Sequence, residues 1–363
     1  MATLPFDVIV EILTRLPVKS LARFRCVSKT WLSLISDAHF IKLHLKQAPT
    51  RRVFLSSCCR LRLQTLNYEI VITNDVEENS AIVNLQSPLE MGSDRPARIL
   101  GSCNGLVSLG LGEKKIIIWN PSIGDFRIFQ DTDSNGSYGL GYDSVTDDYK
   151  LIKVFARNGS NEIGVDVFAL KTHSWRSIRY SNLTYDLVDK VKVGTFLNGS
   201  IYWLVKHGDA QKMASIISFD LQKEQVFSMP LPHCGIVEGW RLGVLTGSLS
   251  ACHCVYGKDA EVWMKGSEVK NTSWIKLGSV PQEAEPEYIR DYLVPLCFAK
   301  NGEAVMLKGG MKINTCNLKK NTSRRIFCYY DVIDMHEFDG AFYAESLVSP
   351  NWYDNPHDQT SLG

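Results

Sequence analysis

Leu4-Pro5-Phe6-Asp7-Val8-Ile9-Val10-Glu11-Ile12-Leu13-Thr14-Arg15-Leu16-Pro17 opens the chain, and Val18-Lys19-Ser20-Leu21-Ala22-Arg23-Phe24-Arg25-Cys26-Val27-Ser28-Lys29-Thr30-Trp31 follows it. Val8, Ile9, Ile12, Leu13 and Leu16 recur at helical spacing and predict an amphipathic helix with a wide apolar stripe. Pro5 suits its first turn. Asp7 and Glu11 sit where the helix dipole favours negative charge, and Glu11 with Arg15 makes a favourable i,i+4 pair. Pro17 ends it, because the residue before a proline avoids the α region. A second short helix carries Leu21 and Phe24. A third starts at Ser28, a good N-cap, and presents Trp31, Leu34 and Ile35. Asp37 caps a fourth with Phe40, Ile41, Leu43 and Leu45. Between Met1 and Thr50 seven basic residues face three acidic ones.

So few short helices cannot bury all these apolar side chains against one another, since domains this small are marginal without help. The surplus meets either the rest of this chain or a partner protein.

The remaining sequence has a different texture. From about Arg51 onward short apolar or alternating runs stand between Gly, Asn, Asp and Pro, the pattern of strands and turns, and nothing there reads as helix. One hairpin recurs. Its first instance is near Leu63-Gln64-Thr65-Leu66, and Ile118-Trp119-Asn120-Pro121-Ser122 with Phe126 to Phe129 comes next. Val167 to Lys171 with Ser174 to Ile178 follows, then Ser218 to Leu221 with Gln225 to Phe227. Val262 to Lys265 with Ser273 to Leu277, and Thr315 to Leu318 with Arg325 to Phe327, complete the series. The spacing is roughly 45–55 residues, near the kelch-type period. A second hairpin interleaves at Asn104-Gly105, Tyr142 to Tyr149, Asn198-Gly199, Thr246-Gly247, Asn301-Gly302 and Asp339-Gly340, where the tight turns need positive φ. Two hairpins per repeat make a four-stranded blade, and about six blades fit the length, which predicts a β-propeller; an irregular β-sandwich is the alternative.

Composition narrows the function. The chain has 363 residues, 45% of them hydrophobic, a net charge of +1 and a pI near 7.5. A near-neutral chain is not expected to grip nucleic acid as its main work. No apolar run approaches a membrane span, and no secretory signal is visible. The ten cysteines are irregularly spaced and mostly within apolar stretches, as expected of buried free thiols in a reducing compartment. Cytoplasm or nucleus is the expected location. The Asn-x-Ser/Thr triplets then read as turn composition.

No His-Glu-x-x-His, Walker loop or Gly-x-Ser-x-Gly elbow is present, and Gly139-x-Gly141 lacks a third glycine and a following helix. Cys252-His253-Cys254 invites a metal reading. Neighbours on a strand point to opposite faces, so His253 and its neighbours cannot converge on one ion; a core strand is expected, as at Cys58-Cys59, and no metal or cofactor is assigned. Trp119, Trp175, Trp203, Trp263 and Trp274 keep step with the repeats and read as blade packing. Binding residues of propellers sit on inter-strand loops. The candidate loops are Asp75–Arg95, Gln130–Ser137, Arg157–Glu162, His207–Gln211, His233–Trp240 and Pro281–Tyr292. They offer His233, Trp240, Tyr288 and Tyr292 as target-binding candidates.

The N-terminal pattern closely resembles the F-box, without gaps from Leu4 to about Leu45. The paired Leu-Pro steps and the Cys-Val-Ser-Lys-x-Trp run carry the likeness. The resemblance implies a trihelical module that binds a Skp-type adaptor and, through it, a cullin. By motif, the adaptor contacts would be Leu4, Pro5, Ile9, Ile12, Leu13, Leu16, Pro17, Leu21, Cys26, Val27, Ser28, Trp31 and Ile35. From Arg98 to Val348 the chain resembles the plant F-box-associated interaction domain. Cys103-Asn104-Gly105-Leu106-Val107, Trp119-Asn120-Pro121-Ser122, Gly139-Leu140-Gly141-Tyr142-Asp143, Asp147-Asp148-Tyr149-Lys150-Leu151-Ile152-Lys153-Val154 and Ser174-Trp175 carry this likeness, with Leu197-Asn198-Gly199-Ser200-Ile201-Tyr202-Trp203 and Ser218-Phe219-Asp220-Leu221 extending it. The kelch Gly-Gly pair is not repeated; Gly309-Gly310 stands alone.

The expected fold class is therefore α+β multidomain: an F-box over residues 1–46, an all-β kelch-like propeller over 47–349 and a disordered tail over 350–363. The resemblance implies a non-catalytic substrate receptor of a ubiquitin ligase, holding a protein target, with plant defence or self-incompatibility as settings. The alternative is a lectin-like F-box protein that reads glycans.

Overall fold

The computed structural model describes residues 5–47, 51–57, 63–74, 78–88, 97–112, 114–131, 136–156, 163–180, 185–187, 193–207, 214–233, 239–255, 257–266, 273–282, 292–310, 312–328 and 338–354. Four helices come first: α1 (Phe6–Thr14), α2 (Val18–Phe24), α3 (Lys29–Ser36) and α4 (Ala38–Gln47). Their ends follow local chemistry. Pro5 and Pro17 stand at the N-caps of α1 and α2, and the Ser28 hydroxyl accepts from Trp31 N at 3.2 Å to cap α3. Asp37 accepts from Phe40 N at 3.0 Å and caps α4. Leu13, Leu21, Ile35, Phe40 and Ile41 form the buried centre of this module.

The chain then enters β1 (Arg51–Ser57) and β2 (Leu63–Leu66), crosses α5 (Tyr68–Asn74) and a 3₁₀ turn at Glu78–Ala81, and reaches β3 (Ile82–Leu85). Helix α5 corrects the expectation that nothing beyond the first module is helical. Tyr-Glu-Ile-Val-Ile-Thr-Asn has strand-like propensity, and packing overrides it: Tyr68 and Val71 are buried among Cys297, Ile326 and Phe327.

Regular blades follow: β4 (Ala97–Cys103), β5 (Leu106–Leu111), β6 (Lys115–Trp119) and β7 (Phe126–Gln130); then β8 (Ser137–Asp143), β9 (Asp148–Ala156), β10 (Ile163–Ala169) and β11 (Ser174–Tyr180). The next sheet has five strands, because β12 (Tyr185–Leu187) and β13 (Thr195–Leu197) both pair with β14 (Ser200–His207), which leads to β15 (Ala214–Asp220) and β16 (Gln225–Pro230). β17 (Trp240–Leu245), β18 (Ser248–His253), β19 (Ala260–Lys265) and β20 (Trp274–Val280) make another blade. β21 (Leu293–Phe298), β22 (Ala304–Lys308), β23 (Lys312–Asn317) and β24 (Thr322–Cys328) make the fifth in chain order. Finally β25 (Phe338–Ala344) pairs antiparallel with β1, so the sixth sheet, β25-β1-β2-β3, takes strands from both ends of the domain.

Six sheets thus close a propeller, as the repeat spacing predicts. The expected Asp339-Gly340 turn is not one: both residues lie within β25, opposite Ser56 and Leu55. The other tight turns are where the sequence puts them. Asn104-Gly105, Asn198-Gly199 and Thr246-Gly247 have both residues at positive φ, the requirement of a two-residue hairpin.

The first strands of the six blades surround a central cavity of about 640 Å3. They run close together. On β17, a Cβ added to Gly243 would stand 1.9 Å from the Pro295 carbonyl oxygen of β21, so only glycine fits. Buried lysines, one of them paired within its own blade, then tie blade to blade. Lys150 Nζ donates to Asp143 at 2.7 Å and to the Leu221 carbonyl at 3.0 Å, and Lys153 reaches Asp131 at 3.2 Å. The Lys-x-x-Lys of the Asp147–Val154 stretch is therefore structural. Tryptophan does similar work. Trp175 and Trp274, on the outer strands β11 and β20, donate to the carbonyls of Gln130 and Pro230, at the ends of the outer strands of the preceding blades, both at 3.1 Å.

Candidate functional site

Two ends of the propeller differ. The hairpins β4–β5, β8–β9, β13–β14 and β17–β18 turn at one end; the connections from second to third strands and from blade to blade leave from the other. A seven-residue strand separates the ends by about 23 Å.

The helical module sits at the hairpin end. Lys42 of α4 pairs with Asp147, in the β8–β9 turn, at 2.7 Å. The hydroxyl of Tyr353 donates to the Asp147 carbonyl at 2.8 Å, and that of Tyr142 donates to its carboxylate. Burial pushes the Asp147 carboxyl up, but the bonds from Lys42 and Tyr142 outweigh it, and the net shift is downward. Phe40, Ile41 and Leu45 belong to the same apolar cluster as Cys103, Tyr149, Leu347 and Val348. Trp352 and Tyr353, within the segment expected to be a disordered tail, pack into this cluster too. Residues 355–363 lie outside the described residues.

This docking leaves much of the module uncovered. Ile12 is 49% and Val27 63% exposed; Pro5, Pro17, Cys26 and Ser28 are also exposed, and Ile9, Leu16 and Trp31 are half-buried. Leu13, Leu21 and Ile35 are buried within the module, where they hold the helices rather than meet solvent. Leu4 lies outside the described residues. Three exposed apolar residues join the surface beyond the motif positions: Phe6 at 58%, Leu32 at 47% and Val8. Phe6 and Leu32 fall off the apolar stripes, and that was the signal: an apolar residue on the polar face of a short amphipathic helix has no internal partner; Val8 belongs to the stripe and lies at its exposed edge. Underneath, the module is well supported. The rings of Phe24 and Trp31 meet edge to face at 5.3 Å, and His44 Nε2 donates to the Leu16 carbonyl at 2.9 Å.

The target-binding candidates do not converge on one patch. Tyr288 lies outside the described residues. Trp240 is fully buried at the start of β17, packed with Leu204, Ile216 and Ala251, so it serves the core. Tyr292 lines the central cavity, its ring 4.4 Å from the guanidinium of Arg241; Arg51, Arg98 and Asp339 add charge to the same wall. His233 is half-buried at the other end of the propeller from the helices, with Nε2 3.1 Å from Glu261 Oε2.

Cys252-His253-Cys254 divides as strand geometry requires. The two thiols are buried together with Sγ atoms 4.0 Å apart, while His253 points to the other face. There it stacks on Trp240, ring centroids 4.3 Å apart and 15° from parallel, with the His233 ring 4.9 Å away. Burial, then the neighbouring His233, lowers the His253 pKa. His233, His253 and Glu261 form a cluster invisible in the sequence, because its register across β18 and β19 has to be known first.

Comparison with known proteins agrees with both halves. Residues 1–43 match the F-box domain and residues 52–345 match the F-box associated beta propeller domain. An F-box/kelch-repeat protein of Arabidopsis thaliana is 29% identical over 380 residues, with 96% of each chain covered. The F-box protein CPR1 of the same plant is 29% identical over 345 residues, covering 85% of this chain and 80% of that one. Among solved structures, the Dos1 propeller superposes with a TM-score of 0.39 at 8% identity, covering 76% of this chain and 67% of that one.

Proposed function

Since the chain belongs to the F-box proteins that carry an F-box-associated β-propeller, we propose that it is the substrate-recognition subunit of an SCF-type ubiquitin ligase. The helices bind a Skp1-like adaptor and through it a cullin, and the propeller holds a protein target. Its contribution is proximity: tethering raises the effective concentration of target lysines near the transferring subunits, and the bond-making chemistry stays in those subunits.

The observation that carries this reading is the uncovered apolar surface of Phe6, Val8, Ile12, Val27 and Leu32 on a module whose α4 side is already occupied by the propeller. Full burial of one such side chain stabilises by about 1.5–3 kcal/mol, and about 1.4 kcal/mol is tenfold in affinity. A few anchors therefore suffice after the association cost. The basic surplus of the first fifty residues suits an acidic partner and favours fast encounter.

The test is co-purification with a Skp-type adaptor. Ile12→Asp with Val27→Asp lowers adaptor affinity at least 100-fold while the melting temperature of the propeller is unchanged, because both side chains already face solvent. Retention of adaptor by the double variant, or no binding by the wild type, refutes the reading.

The target surface lies at the propeller end away from the helices, where the longer connections leave. A target bound there stands a strand length, about 23 Å, from the module. A propeller lacking residues 1–46 but retaining 51–354 captures the same targets as the full chain and fails to promote their ubiquitination.

A further inference from the structure

The blade of β17–β20 faces the preceding blade with a row of side chains set by strand register. Trp240 stands opposite His253, and His253 opposite Glu261, so all three project from one face. His233 reaches the row from the connection between β16 and β17. It brings a second imidazole beside the first, its ring 4.9 Å from that of His253 and 5.8 Å from that of Trp263. One donor atom from each of His233, His253 and Glu261 lies within 4.8 Å of the other two, and His233 Nε2 is 3.1 Å from Glu261 Oε2. Among the described residues this is the one group of three such side chains so placed.

From this geometry we propose that His233, His253 and Glu261 bind a divalent transition metal, Zn2+ by chemistry. Two imidazoles and one carboxylate are a borderline nitrogen–oxygen donor set, suited to zinc and poorly suited to magnesium or calcium, which take oxygen ligands. Three protein donors leave a fourth tetrahedral position for water or for a donor from a bound partner. The surroundings fit a supporting shell. Lys276 Nζ holds Glu261 Oε1 at 2.5 Å, fixing that oxygen and turning Oε2 towards the histidines. Trp240 fixes the plane of the His253 ring by stacking. At Gly239 a side chain would collide with the Cys254 carbonyl at 2.4 Å and come within 3.3 Å of His253 Nε2, so the glycine keeps that ring's edge clear. His233 and Glu261 are 38% and 31% exposed, which leaves the donors within reach of solvent ions. The ammonium of Lys276 opposes a second positive charge, so the site is of moderate affinity. Metal there staples the β16–β17 connection to the next blade, at the end of the propeller that faces away from the helices.

The experiment is a titration of the purified full chain, thiols reduced, with Zn2+ and separately with Co2+. The wild type takes up one Zn2+ per chain at micromolar concentration, and its melting temperature rises by a few degrees. Co2+ gives visible d–d bands without the intense near-ultraviolet band of thiolate ligation. Glu261→Gln, which keeps the shape and a hydrogen-bonding carbonyl, and His233→Ala each weaken Zn2+ uptake at least 100-fold and abolish the metal-dependent melting shift. Glu261→Gln carries the comparison if loss of the imidazole lowers stability without metal. Absence of uptake at micromolar Zn2+, equal uptake by the variants, or a thiolate band that places the ion on cysteines would overturn the assignment.

Discussion

Asn120 links the closing strand to the rest of the ring, and its replacement by leucine tests how the ring is held. The side chain is fully buried in the turn after β6. Its Nδ2 donates to the carbonyls of Val348 at 2.7 Å and Ser346 at 2.9 Å, just beyond β25. Its Oδ1 accepts from Ser122 N at 2.8 Å. Asn120→Leu keeps the branched shape in a larger side chain and strands two carbonyls and one N–H. At about 1–3 kcal/mol for each buried group left unpaired, the loss is about 3–9 kcal/mol, a large share of the 5–15 kcal/mol that holds most domains. For a domain of this size about 2 °C accompanies each kcal/mol, so the melting temperature falls by about 6–18 °C. Asn120→Asp is the sharper control: it keeps the acceptor for Ser122 and sets a second oxygen against two carbonyls, so it destabilises at neutral pH and recovers in acid as the carboxylate takes a proton. Scanning calorimetry, with limited proteolysis after Tyr343, reads both. A melting temperature within 2 °C of wild type for Asn120→Leu would refute the idea that this side chain latches the ring.

Gly243→Ala forces β17 and β21 apart, because the added carbon meets the Pro295 carbonyl, and costs about 3 kcal/mol by denaturant titration. Acid loosens the joint between module and propeller. The Asp147 carboxyl is held below its ordinary value, so its contribution is complete above that value and fades as pH falls through the depressed one. The pair with Lys42 is half exposed, so the effect is under about 1 kcal/mol; Asp147→Asn removes it from the pH profile of module-interface proton exchange. Ser28→Ala removes the α3 cap, costs about 1 kcal/mol, and weakens adaptor binding without moving the propeller's melting transition.

The legible parts of the fold share a property: the local signal and the tertiary demand coincide. Asn104-Gly105 and Asn198-Gly199 are hairpins because asparagine and glycine both enter positive φ at low cost, and Ser28 and Asp37 cap helices whose first turns need an acceptor. Where tertiary contacts decide, the sequence misleads. Asp339-Gly340 has turn chemistry yet lies inside β25, and the β-branched Tyr68–Asn74 is a helix because Tyr68 and Val71 fill a gap between two blades. The candidate surface divides the same way. Motif positions on the module could be named, but not sorted into exposed Val27 and buried Leu21, since that depends on how the short helices pack on one another. Trp240 reads as a loop residue and begins a strand. His233, His253 and Glu261 come together only through pairings that no local pattern encodes.

Ring closure also has a direction in time. Arg52 and Glu345, joined by a salt bridge in the closing blade, are 293 residues apart. At synthesis rates of about 5–20 residues per second, roughly 15–60 s pass between the emergence of the first and the second. During that interval the helical module is complete while β1 waits for its partner. On the proposed function, a nascent chain therefore offers its helical module before the closed propeller exists. A ribosome that stops short of β25 releases a species that can occupy the adaptor but has no closed receptor to present, a competitor of its own finished product.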